Sequence, residues 1–136
     1  KVDLTVVRPH GAMGATPVFM FFHGGGFALG SIVSGDPLCR ALAQQAGARV
    51  LSVEYRLAPE HPYPAGRDDG YAALNWVARH AVVLGGRADR IAVMYLGKIV
   101  EIGDRDAIVP SIAGWARTSA SSSATGRSRI RHGSTR

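Results

Sequence analysis

The sequence predicts an α/β fold in which a mostly parallel sheet is flanked by helices. Three observations carry that expectation. Apolar, strand-like runs at 18–22, 49–55 and 90–94 alternate with helical patterns at 36–46 and 67–80. That order calls for parallel pairing with right-handed crossovers. The run Val18–Phe22 holds no polar residue, which marks a strand covered on both faces.

Taken in order, Val2–Val7 alternates partly between apolar and polar residues and reads as a strand. His10–Pro17, with two glycines and a proline, is a turn. After Phe22 comes a glycine loop, His23-Gly24-Gly25-Gly26-Phe27. Asp36–Ala46 reads as a helix: Pro37 sits in its first turn, and Leu38, Ala41, Leu42 and Ala46 share a face. Gly47 is the expected C-terminal stop. Arg49–Tyr55 is a second, β-branched strand, and 56–65 is a loop punctuated by prolines. Arg67–His80 is the second helix, with Tyr71, Leu74, Trp76 and Val77 as candidate core residues. Phe19, Phe21 and Phe22 join them. Asp68 and Asp69 at the helix start suit the positive end of its dipole. Arg90–Met94 is the next apolar strand. Two short apolar runs then flank Gly97-Lys98 and predict a hairpin.

The 136 residues suit one small domain, with 46% hydrophobic residues, enough for a modest core. Collagen-like and coiled-coil classes are excluded. No apolar run approaches the roughly 20 residues of a membrane span. The single cysteine, Cys39, excludes an internal disulfide and a Cys-rich zinc site, and it fits a cytoplasmic location. On the first helix it reads as a buried, inert thiol. His10, His23, His61, His80 and His132 show no metal-ligand spacing, so neither a metal nor a cofactor is expected. The chain opens at Lys1 without a signal-peptide pattern and is expected to be a piece of a longer protein.

The formal charge of +6 is unevenly spread. Residues 116–136 hold five Arg and no acid, so the other 115 residues carry 11 basic and 10 acidic groups. Three segments are expected: 1–93 as the folded portion, 94–115 as a hairpin-like segment, and 116–136 as a disordered basic tail. The tail lacks the apolar side chains needed to order itself. Its attraction for nucleic acid is nonspecific, so no specific nucleic-acid partner is expected.

The glycine loop carries the chemistry. Consecutive glycines let the backbone approach a ligand closely. Amides exposed there can stabilise the oxyanion that forms when a nucleophile attacks an ester carbonyl. His-Gly-Gly-Gly after an apolar strand is the pattern of lipase and esterase oxyanion loops. A phosphate loop would end in Lys-Ser or Lys-Thr, where this chain has Phe27-Ala28. About 30 residues on stands Val53-Glu54-Tyr55-Arg56-Leu57-Ala58-Pro59-Glu60-His61-Pro62-Tyr63-Pro64-Ala65, followed by Asp68-Asp69-Gly70-Tyr71. With Gly30-Ser31 and Asp36–Ala43, these motifs closely resemble the hormone-sensitive-lipase-like branch of the α/β-hydrolase esterases, over about residues 1–93.

The resemblance implies a partial α/β-hydrolase whose C-terminal half is incomplete, acting on small acyl-ester substrates. It implies that the amides of Gly25 and Gly26 form the oxyanion hole and that His23 orients the loop. Gly24 and Phe27 would bind substrate. Tyr55, Arg56 and Glu60 would form a structural network.

One part of the family pattern is missing. After Arg90-Ile91-Ala92-Val93 the family continues Gly-Asp-Ser-Ala-Gly-Gly, the elbow that presents a nucleophilic serine. Here Met94-Tyr95-Leu96-Gly97-Lys98 stands in its place. No serine has glycine both two residues before and two residues after it; Ser128, with Gly126 before it and Ile130 after, comes nearest. The acid and base of a triad have no counterpart downstream. Residues 90–108 instead resemble a segment late in the ATP-binding subunits of peptide-importing ABC transporters, without a nucleotide loop. The simplest expectation is an esterase front joined near residue 93 to a fragment of different origin, and catalytically impaired. Ser119 and Ser121–Ser123, with His132 as base, lie in a tail that cannot hold reacting atoms at attack distance. The alternative is a noncatalytic chain whose Arg-rich tail holds polyanions. Apolar surface left uncovered by the missing half predicts self-association.

Overall fold

Successive side chains of a strand point to opposite faces, so Val18–Phe22 requires a cover on each side of the sheet. The computed structural model, which describes residues 1–95, 98–103 and 106, shows what supplies it. In chain order come β1 (Asp3–Val7), β2 (Thr16–Phe22), α1 (Ile32–Ala46), β3 (Arg49–Glu54), α2 (Ala65–His80), β4 (Gly86–Tyr95) and β5 (Lys98–Gly103). The strands form one sheet in the order β1-β3-β2-β4-β5. β2 runs parallel to β3 and β4, as the strand–helix alternation requires. β1 and β5 pair antiparallel at the two edges, so the sheet is mixed. β5 follows β4 too closely for a crossover, and only antiparallel partners accept so short a connection. Tyr95 pairs with Lys98 across it.

Alternation sorts the core into two layers. Val18 and Met20 of β2, Leu51 and Val53 of β3, and Ile91 and Val93 of β4 pack with Ala73, Leu74, Val77 and Ala78 of α2. Phe19, Phe21 and Val50 turn the other way, against Cys39 and Ala43 of α1. Burying a Val, Leu or Ile side chain stabilises by about 1.5–3 kcal/mol. Both helices are therefore needed to hold β2.

Several helical expectations change. α1 starts at Ile32, four residues before Asp36, because Ser31 caps it. Ser31 Oγ accepts from the Ser34 amide at 3.2 Å, and the Ser31 amide donates to Ser34 Oγ at 2.9 Å. Pro37 therefore lies within the helix, beyond its first turn. The buried face of α1 is Gly35, Cys39 and Ala43; Leu38, Ala41 and Ala46 are exposed and Leu42 is half-buried. Small residues take that face because the helix sits close on the sheet. A Cβ at Gly35 would come within 2.9 Å of the Phe21 ring. Gly47 does end α1, in the left-handed conformation at φ 58°.

On α2 the buried face is Asp69, Ala73, Leu74, Val77 and Ala78. Tyr71 and Trp76, expected in the core, are 38% and 44% exposed. Trp76 stacks instead on His80 one turn later, with ring centroids 4.5 Å apart. Gly97, the basic tail 116–136, and with it Ser119, Ser121–Ser123, Ser128 and His132, lie outside the described residues. Among the described residues no helix is long and apolar enough to cross a membrane.

Candidate active site

Where the chain of a parallel sheet reverses its order, a crevice opens beyond the strand carboxyl ends. From β2 the chain passes through α1 to β3 on one side. From β3 it passes through α2 to β4 on the other side of β2. The residues that leave β2 at this reversal are His23–Gly30.

This loop bends sharply, with φ of 128° at Gly25, 64° at Gly26 and 97° at Gly30. The Gly25 carbonyl accepts from the amides of Ala28 and Leu29, at 3.1 and 3.0 Å. A Cβ on Gly25 would overlap the Leu29 carbonyl oxygen, whereas one on Gly26 would meet open space. Phe27 is the one non-glycine residue at positive φ, 62°, among the described residues. Its carbonyl accepts from the Ala58 amide at 2.8 Å, and its ring stands edge-on to Tyr55 at 5.8 Å. Left-handed backbone costs about 1–2 kcal/mol for a residue with a side chain. It persists only where the surroundings over-determine it, as these contacts do. Gly24, Gly25 and Gly26 are exposed. Among the described residues, no acceptor takes their amides. The arrangement can therefore donate N–H groups to a ligand oxygen.

His23 anchors the start of the loop and is only 2% exposed. Its Nδ1 lies 3.0 Å from the Gly24 carbonyl oxygen, an acceptor, so Nδ1 carries the proton and donates. The ring stacks on Tyr55 at 4.3 Å, and the Tyr55 hydroxyl donates to the His23 carbonyl at 2.5 Å. His23 Nε2 is buried without a hydrogen-bond partner among the described residues, 3.9 Å from Glu54 Oε1. Glu54 Oε2 accepts from the Ile32 amide at 2.8 Å.

Asp69 is not the dipole residue it was expected to be. It is buried and faces Arg56, accepting from Nε and Nη2 at 2.8 Å each and from the Arg56 amide at 2.9 Å. Those hydrogen bonds from Arg56 hold its carboxyl below the usual carboxylate range. Glu60, expected beside Tyr55 and Arg56, is exposed, and among the described residues it forms no hydrogen bond or ion pair with them. Glu54 stands by the loop in its place. The signal that could have found it is an acid at the end of a buried strand, on the face opposite Val53 and Tyr55. Among the described residues no three His, Cys, Asp or Glu side chains converge as a metal site would.

An amide-bearing glycine bend at the switch point of such a sheet defines a class. Residues 19–94 match the family described by the alpha/beta hydrolase fold, and the chain belongs to that family. It is 58% identical over 77 residues to the carboxylesterase NlhH of Mycobacterium tuberculosis, covering 57% of this chain and 24% of that protein. It is 45% identical over 105 residues to the esterase LipI of the same organism, covering 68% of this chain and 33% of that one. Among solved structures, a bacterial heroin esterase superposes with a TM-score of 0.65 at 46% identity, covering 68% of this chain and 29% of that one. The chain thus spans about a quarter to a third of the length of these relatives.

Proposed function

We propose that this chain carries the oxyanion-binding portion of a carboxylic-ester hydrolase acting on short acyl esters. The observation behind this reading is the exposed bend at Gly25 and Gly26, whose amides meet no acceptor among the described residues. As an ester carbonyl is attacked, charge grows on its oxygen. Fixed N–H donors then stabilise the transition state more than the ester itself. One such donor is worth about 2.7–4 kcal/mol. In this reading His23 orients the loop, and Gly24 and Phe27 contact the substrate. The names carboxylesterase and esterase borne by the relatives support it.

The chain as it stands is, in this proposal, catalytically impaired. An acyl-enzyme route needs a nucleophile on a sharp strand-to-helix turn after Val93. Met94 and Tyr95 instead continue β4, paired with Phe21 and Phe22, and the chain returns as β5. The segment 94–115 is accordingly read as being of different origin, in keeping with its likeness to an ABC transporter ATP-binding subunit.

Two assays test the two halves of this reading. The purified chain, given p-nitrophenyl acetate and a fluorophosphonate probe, is expected to show background hydrolysis and no labelled residue by mass spectrometry. A labelled hydroxyl or thiol, together with turnover that falls in Gly25→Val, would overturn the impairment. Residues 1–93 grafted onto the complementary portion of NlhH should give an active esterase. A graft that folds but fails to hydrolyse the ester would sink the oxyanion reading.

A further inference from the structure

We propose that Glu54 is a positioning residue that fixes the point where the glycine loop enters α1, beside the His23 ring where the loop begins, so that the set of the Gly25 and Gly26 amides depends on this side chain. Its purpose rests on the oxyanion reading; its geometry does not. Between His23 and Ile32 lie eight residues, four of them glycine, and residues 24–30 are all exposed. A stretch so rich in glycine loses much entropy on ordering and has little burial to offset it. Beyond the bonds at the Gly25 and Phe27 carbonyls, its order depends on how its ends are held.

The Glu54 carboxylate bonds the far end and stands beside the near one. Oε2 accepts from the Ile32 amide at 2.8 Å. Ile32 is the first residue of α1, where an N–H has no partner within the helix and the dipole favours an anion. Oε1 faces His23 Nε2 at 3.9 Å. His23 Nδ1 donates to Gly24, which leaves Nε2 as the ring nitrogen that faces Glu54. No hydrogen bond spans that gap, so a donor introduced at position 54 would find Nε2 buried and without a partner among the described residues. The Tyr55 ring, stacked on the imidazole, keeps it facing the carboxylate.

This geometry makes an unusual demand on substitutions. Glutamine at 54 keeps a carbonyl for the Ile32 amide and brings an NH2 that can donate to His23 Nε2. It should hold the loop at least as well as glutamate. Methionine, of similar length, can do neither.

The test uses the 15N-labelled full chain. Order parameters are measured at Gly25 and Gly26, and hydrogen exchange at the Ile32 amide. In wild type and Glu54→Gln the order parameters should stay near the rigid-backbone value of about 0.85, and in Glu54→Met they should fall toward 0.6. Ile32 exchange should speed up about tenfold in Glu54→Met and stay slow in Glu54→Gln. In Glu54→Gln the His23 Nε2 resonance should move as it gains a donor. Protection at Met20 and Leu51 reports that the sheet is intact. If Glu54→Met does not fold, Glu54→Asp, one methylene too short to reach the Ile32 amide, takes its place. Unchanged loop order in Glu54→Met or Glu54→Asp would overturn this role. So would a Glu54→Gln chain that loosens as much as either. No ester enters these measurements, so an inactive graft would defeat the oxyanion reading alone.

Discussion

Arg56 and Asp69 tie the end of β3 to the first turns of α2 through a two-pronged pair, both prongs 2.8 Å long. The Arg56 amide adds a third bond to the same carboxylate. The pair therefore fixes the direction in which the chain leaves β3, just beyond Tyr55 and its contact with His23.

Removing the charge at Asp69 should loosen this corner. Asp69→Asn is expected to lower Tm by about 5 °C or more, because bonds between charged groups are stronger than neutral ones. The effect depends on pH with a definite sign. The folded carboxyl titrates below its unfolded value, so its stabilisation is present above roughly pH 4 and is lost as pH falls through the depressed value. Urea midpoints of wild type and Asp69→Asn should differ at pH 6 and converge in acid.

The two site glycines should respond differently to alanine. At Gly25 the added Cβ meets backbone that cannot yield, at φ 128°. The loop must rebuild, and urea unfolding should show a loss of about 2–3 kcal/mol. At Gly26 there is open space, and only left-handed strain of about 1 kcal/mol is expected. Equal losses would mean that the bend is not set by the approach of Leu29.

Cys39 should be slow to react in the folded protein. It has no exposed surface, and burial pushes its thiol pKa up. Modification by a disulfide reagent at pH 8 should be at least about tenfold slower in buffer than in denaturing urea.

The purified chain is expected to self-associate. Val82 and Val83 after α2 are 72% and 85% exposed, and Leu29 and Val33 beside the loop are 71% and 78% exposed. Sedimentation velocity should show mass rising with concentration, and less so in the Val82→Ser, Val83→Ser double variant. A monomer at all concentrations would contradict this.

Strands are legible in this sequence because their signal is local. An unbroken apolar run needs two covered faces, and the alternation in 18–22 and 49–55 already separates the two layers. Helix faces are less legible. The largest side chains on α1 suggest a face through Leu38 and Leu42, yet close packing on Phe21 selects Gly35 and Cys39. Trp76 misleads for a related reason: its bulk finds a partner in His80 without entering the core. The glycine bend is readable from His23–Phe27, because glycine takes such backbone at the least cost. Its supports are not. Glu54 meets a residue 22 positions away, and Asp69 meets one 13 positions away. Nothing local marks which acid will find which donor.

β2 has a neighbouring strand on each side, while β1 and β5 form the rims. Fraying in a sheet begins at its rims and reaches the middle last. Among the described strands, the glycine bend is therefore rooted in the one expected to breathe most slowly. Thermal peeling of either border strand can come and go without disturbing the footing from which its amides project.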